Sequence, residues 1–323
     1  VKAHRHKPKT SITWQWDLNF TYTRNRNKIV ELSPDVTSYI NLDGAANYGN
    51  YRIASVAKVG SDYGMLMSDS WIKTDEKTGK PVVGYTNKFR TVYYKRGGTV
   101  KEVGSMLPNF LGSLNSTLRW KDLSLYVLFD ARFGGYVASY NSRYATAYGF
   151  SGETEKYRKG MTWTSKYANA QDKVFTDGFI PDVVFDAGTI VTTPGGTNQD
   201  VSGMTYQEAY EKGYVEPAHL QSAAYFKNSW GTGVINDDWF KKINYIALRE
   251  ITLSYNVPTK ISSFIGAKNL SLSFTGRNLA YLLNTAPNHE NPESVRGTGA
   301  AQFRMRSFMP YTASYLFTLN ATF

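Results

Sequence analysis

Residues Tyr311 to Phe323 read YTASYLFTLNATF and alternate with a period of two. Tyr311, Ala313, Tyr315, Phe317, Leu319, Ala321 and Phe323 share one parity. Thr312, Ser314, Leu316, Thr318, Asn320 and Thr322 share the other. A strand sends successive side chains to opposite faces, so one face is apolar and aromatic and the other almost wholly polar. Two structures use such a strand. One is a soluble sheet with a single buried face. The other is a transmembrane barrel, where one face meets lipid and the other the lumen. Chain termini are usually polar and frayed, and an apolar end on Phe323 favours the barrel.

The same pattern recurs upstream. Ile12, Trp14, Trp16, Leu18, Phe20 and Tyr22 oppose Thr13, Gln15, Asp17, Asn19 and Thr21. Two Trp toward one end and Tyr at the other fit the two aromatic girdles of a spanning strand. Asn25 to Lys28 form a polar turn, and a second strand is expected through Ile29, Val30 and Leu32. Tyr51–Val59 and Gly64–Ile72 predict a weaker hairpin, and Val82–Tyr94 a mixed β segment ending at Gly97-Gly98. Phe110 to Phe133 is the strongest internal hairpin, with a tight turn at Lys121-Asp122. Strands resume at Tyr245–Val257, where Pro258 ends the ladder, and at Leu270–Thr275. Roughly eight to ten spanning strands of ~9–11 residues are expected.

Between these strands, Tyr140 to about Lys242 breaks the pattern. It holds aromatics, Gly, Asn, Asp and helix-like pieces such as Tyr206–Tyr225. A loop of this length is out of place in a compact soluble domain but suits the outer rim of a large barrel. The expected division is barrel strands over 1–139, a large extracellular loop region over 140–242, and C-terminal barrel strands over 243–323.

Composition narrows the function classes. With no Cys among 323 residues, disulfides, thiolate metal sites and Cys nucleophiles are excluded. No apolar run is long enough for a transmembrane helix. The net charge of +11 raises nucleic-acid binding, yet the Lys and Arg are scattered. Only the first ten residues are densely basic, and no nucleic-acid motif follows them. No nucleic-acid partner is expected. Val1 is followed by no apolar stretch with a small-residue cleavage site, so the chain reads as a portion of a longer exported protein.

Three segments together carry a family resemblance. They are INYIALREITLSYNVP (Ile243–Pro258), LSLSFTGRNLAYL (Leu270–Leu282) and NHENPES (Asn288–Ser294). With the hairpin Pro108–Gly135 and the aromatic last strand, they resemble the C-terminal part of the SusC/RagA branch of TonB-dependent outer-membrane transporters. The resemblance implies an all-β fold, a transmembrane antiparallel β-barrel of ~22 strands with a plug domain that lies outside this chain. It implies a SusD-like surface lipoprotein as lid, and TonB as energy source through the plug. Import of oligosaccharides or peptides across the Gram-negative outer membrane follows from it. An open arc of strands leaves backbone groups unpaired in lipid, so the remaining strands are expected from another segment or chain. A passive porin or adhesin barrel without energy coupling is the alternative.

No catalytic, cofactor or metal pattern stands in a convincing context, and the chain is not read as an enzyme. His4-x-His6 reads as a solvated basic tail, Gly195-Gly196 as a turn, and Asp237-Asp238 as a loop or helix cap. Tyr311, Tyr315, Phe317, Leu319 and Phe323 are candidates for the outer-membrane assembly signal. Asp17, Asp130, Arg132 and Arg277 are candidates for lumen or plug contacts. Tyr144, Tyr148, Trp163, Tyr167, Trp230 and Trp239 are candidates for substrate or lid contacts in the loops.

Overall fold

The computed structural model describes residues 2–3, 14–42, 53–147, 160–219, 235–236, 240–295, 303–305 and 310–323. Six long strands carry the architecture: β1 (Trp14–Thr23), β2 (Phe110–Trp120), β3 (Leu123–Ser139), β4 (Phe240–Val257), β5 (Asn269–Asn284) and β6 (Ser314–Thr322). Each pairs antiparallel with the next in sequence, giving one continuous meander. Two short pieces join it. Lys2–Ala3 pairs with β1, and Arg304–Met305 pairs parallel with the far end of β3.

Register makes the two faces continuous across all six strands. Trp16 lies opposite Leu118, Leu118 opposite Leu125, Leu125 opposite Leu253, Leu253 opposite Phe274 and Phe274 opposite Phe317. These side chains are solvent-exposed, with Phe20 at 67% and Phe317 at 73%. Burying one such side chain gains ~1.5–3 kcal/mol, so a face this broad calls for an apolar environment. The opposite face carries hydroxyls in rows. Thr252 meets Thr275 at 2.9 Å, and Ser254 meets Ser273 at 2.9 Å.

Rings bound the apolar face at both ends. Trp14 pairs across with Trp120 near the Lys121-Asp122 turn. Toward the other end, Tyr22, Phe110 and Phe133 stack in a row across three strands, with centroids 5.3 and 4.9 Å apart. Eight residue steps from Trp14 to Tyr22 span ~26 Å, and a tilt of ~40° reduces this to ~20 Å of height. That compares with an apolar band of ~25 Å.

Beyond the upper ring row, β3 and β4 continue into a packed cap. Val137, Ala138, Phe240, Ile243 and Tyr245 are buried there. The segment between β1 and β2 supplies a four-stranded sheet of Tyr39–Asn41, Ile53–Lys58, Met65–Ser68 and Lys101–Ser105. It also supplies the hairpin Val82–Thr86 with Thr91–Tyr94. Val184–Phe185, from the segment between β3 and β4, adds parallel to that hairpin. Val83, Val92, Val183, Phe185, Val191, Tyr206 and Ala218 then form a shared core.

Several expectations change. Among the described residues the long strands number six rather than eight to ten, because Tyr39–Asn41, Ile53–Lys58, Met65–Ser68, Val82–Thr86, Thr91–Tyr94 and Lys101–Ser105 form the small sheets of the cap. No strand forms at Ile29–Leu32; instead Ile29 exchanges backbone hydrogen bonds with Gly60 and Ser61. Of the helical piece expected over Tyr206–Tyr225, the described residues hold a helix at Tyr206–Glu211, opened by a capping box between Thr205 and Glu208, and a short strand at Ala218–His219, while 220–225 lie outside the described residues.

Candidate functional site

The polar face near the cap holds a charged cluster built on a bulge. Against β3 the register of β4 shifts between Leu248 and Glu250, leaving Arg249 as the extra residue, and against β5 the shift at the same place sets two residues, Asn278 and Leu279, opposite it. A bulge re-aims its side chain. Here the guanidinium donates to Asp130 Oδ2 from Nη2 at 2.8 Å and from Nε at 3.2 Å. The same Nη2 donates to Glu293 Oε1 at 2.6 Å. Tyr281 donates to Glu293 Oε2 at 2.8 Å, and Tyr245 to Oε1 at 3.3 Å. Burial pushes the Glu293 carboxyl up, but the hydrogen bonds from Arg249 and Tyr281 outweigh it and hold the group below its ordinary range.

Glu293 belongs to the NHENPES segment, so this cluster fastens that loop to the sheet. Glu290 of the same loop is buried and accepts from Ser139 Oγ at 3.4 Å. Its carboxyl is raised by burial, with hydrogen bonds from Asn141 and Ser139 opposing.

Of the four lumen candidates, all lie on the polar face by register. Asp130 belongs to the cluster. Asp17 accepts from Arg119 at 2.6 Å on the neighbouring strand. Arg277 pairs with Glu250 at 3.0 Å. Arg132 donates to the carbonyls of Gly134 and Met106, both at 3.3 Å. The four are thus spread along the face, each held by a protein partner. Arg249 and Glu293, the centre of the cluster, were not among the candidates.

Of the assembly-signal candidates, Tyr315, Phe317, Leu319 and Phe323 are exposed, the first three on the apolar face of β6 and Phe323 just past its end. Tyr311 departs from the alternation. It precedes the strand and packs on Tyr281 of the polar face, with ring centroids 4.5 Å apart.

Two loop candidates converge in the cap. Trp163 and Tyr167 line a cavity of about 300 Å³ together with Tyr85, Phe89, Arg90, Phe175, Glu216 and His219. Trp163 stacks on Phe175 at 4.9 Å, and His219 closes the same cluster at 4.9 Å from Trp163. Tyr167 is 7% exposed and donates to the Thr192 carbonyl at 3.1 Å. Burial pushes its phenol up. The Arg90 guanidinium lies 3.9 Å from the Tyr167 ring centroid. Tyr144 sits in the helix Tyr140–Ala147, while Tyr148, Trp230 and Trp239 lie outside the described residues. Tyr85, Arg90 and His219 were missed by sequence because the cavity joins segments far apart in the chain.

No family model and no curated protein sequence matches the chain. Solved structures do match by fold. The RagAB peptide importer in its "open-open" state matches with a TM-score of 0.51 at 13% identity, covering 100% of this chain and 27% of that chain. The RagAB peptide transporter matches at 0.50 and 13%, and the "closed-closed" state of the importer at 0.50 and 14%, each covered over 28% of its length. This chain therefore spans little more than a quarter of the chains it matches. Its fold is the fold of a segment of the RagAB importer chains, in agreement with the SusC/RagA resemblance read from its strands.

Proposed function

We propose that this chain is part of the barrel wall and outer cap of a SusC-like, TonB-dependent transporter in the outer membrane of a Gram-negative bacterium. Its cargo would be oligosaccharides or peptides, taken up under a SusD-like lipoprotein lid. The observation that carries this reading is the six-strand meander with one exposed apolar face bounded by two aromatic rows. Such a face is stable in lipid and costly in water. Both edges of the meander take up further strands, from another segment or chain, to close the barrel. The loop segments between β1 and β2 and between β3 and β4 build the extracellular surface, where cargo and lid meet. The role is binding and passage, with no bond chemistry and no cofactor.

The test uses the whole gene in its host. Uptake of a labelled oligosaccharide or peptide should fall to background when TonB is deleted and when the proton-motive force is dissipated. Uptake that survives both treatments would establish the passive-porin alternative. Recovery of the whole protein in the aqueous phase without detergent would remove the membrane reading altogether.

A further inference from the structure

We infer that the cap cavity is a binding site for a carboxylate-bearing sugar ring, such as the terminal uronic acid of an oligosaccharide. The inference deepens the transporter reading and rests on it for its purpose, while the binding itself is a property of the cavity.

The first argument is size. At about 300 Å³ the cavity lies at the small end of ligand pockets, ~300–1,000 Å³. It takes one ring with its substituents and leaves no room for a run of residues.

The second is charge. Lys88 and Arg90 line the same cavity, and among the described residues neither has a carboxylate partner. Lys88 Nζ sits 5.2 Å from the Phe89 ring centroid, and Arg90 stacks on Tyr167. Stacking holds the guanidinium plane and leaves its N–H edge for a carboxylate, which it takes in bidentate fashion. Arg90 also adopts φ 50°, a left-handed conformation uncommon outside Gly. Strain of this kind is found where a side chain must be aimed.

The third is a carboxylate in the lining. Glu216 accepts from Ser165 Oγ at 2.8 Å and from the Lys166 backbone N–H, which fixes its carboxylate. Each carboxylate oxygen has a second lone pair, open to a hydroxyl donor. A uronic acid complements these groups together. Its carboxylate meets Arg90 and Lys88, its hydroxyls meet Glu216, and its C–H face packs on the rings. An acidic peptide side chain offers the carboxylate but neither the hydroxyls nor the ring.

The experiment titrates the whole transporter, purified from its host in detergent, with digalacturonate, with the neutral digalactose of the same size, and with a tri-glutamate peptide. Intrinsic tryptophan fluorescence and calorimetry report binding. Digalacturonate should bind saturably and at least tenfold tighter than the other two. Arg90→Gln should remove that preference with an unchanged far-ultraviolet dichroism spectrum. Lys88→Gln, at an exposed position, should weaken binding several-fold and flatten its salt dependence. Equal binding of the neutral sugar, tighter binding of the peptide, an unaffected Arg90→Gln protein, or no saturable binding of any probe overturns the inference. Uptake that still depends on TonB after such a result would leave the transporter reading standing, so the two fail separately.

Discussion

Arg249 joins Glu293 to Asp130: one guanidinium nitrogen lies 2.6 Å from the loop carboxylate and 2.8 Å from the strand carboxylate. A loop after β5 is thereby tied to β3 through a bulge in β4. The Arg249 side chain is only 18% exposed, so the pair is better shielded than a surface ion pair. Removing Arg249 leaves two carboxylates facing each other without a counter-charge. Arg249→Leu is expected to cost ~1–3 kcal/mol, the range for leaving a buried polar group unpaired. Limited proteolysis should then cut within 285–295. Glu293→Gln should cost less, and the double variant should show coupling when the cycle is closed. Additive effects would mean that the two groups act independently.

The same loop gives a two-signed response to acid. The folded Glu293 carboxyl lies below its ordinary value of 4.5, so it stabilises the fold above that value, and the gain is lost as pH falls through the folded pKa. Glu290 is the opposite case. Its folded carboxyl lies above 4.5, so its charged form opposes folding at neutral pH, and that penalty is relieved as pH falls toward 4.5. Loop docking should strengthen slightly just above pH 4.5 and weaken below it. Glu290→Gln should remove the first change and Glu293→Gln the second. Thermal melts of the three proteins across this range check the assignment; a monotonic curve for the unaltered chain would contradict it.

Lipid contact is testable one residue apart. Phe317 lies on the apolar face of β6 and Thr318 on the polar face. Phe317→Arg is expected to cost ~2–4 kcal/mol near the midplane, while Thr318→Arg should be close to neutral. Unfolding in lipid vesicles by urea measures both. Equal penalties would place water, or protein, on both faces.

How far the sequence was legible follows from what each pattern encodes. Alternation marks a half-buried face, so all six long strands were readable, in Ile12–Tyr22, Phe110–Phe133, Tyr245–Val257, Leu270–Thr275 and Tyr311–Phe323. It does not distinguish a spanning strand from one in a small sheet. Ile53 and Val56 are fully buried in the cap, which is why this hairpin swelled the expected number of spanning strands. The bulge did leave a trace. Ile246 and Leu248 share even parity, whereas Ile251, Leu253 and Tyr255 share odd parity, and the change falls on Arg249. Alternation broken at a charged residue was thus a usable sign of a re-aimed side chain. The cap cavity left no such trace, since Tyr85 and Trp163 meet only through the core that joins the two insertions.

The passage of β3 from the long-stranded sheet to the cap turns on Gly134 and Gly135. Both have positive φ, 84° and 85°, and the register of β3 against β4 shifts between Phe133 and Tyr136. L-residues with a Cβ pay for this conformation. Space makes the second glycine the stricter one. A Cβ at Gly135 would stand 2.6 Å from both Met106 O and Arg132 Nη2. At Gly134 it would meet only the Asn109 side chain, at 2.7 Å. A side chain can turn away, whereas the Met106 carbonyl is backbone already bound by Arg132. Gly135→Ala is therefore expected to cost ~1–3 kcal/mol from backbone strain, and more if Arg132 loses its hold on Met106. Gly134→Ala should cost the φ penalty with little added clash. Hydrogen exchange at 104–109 separates the two: protection should fall in the Gly135 variant and persist in the Gly134 variant. Equal loss would locate the constraint in the dihedrals alone, with the Arg132 contact a bystander.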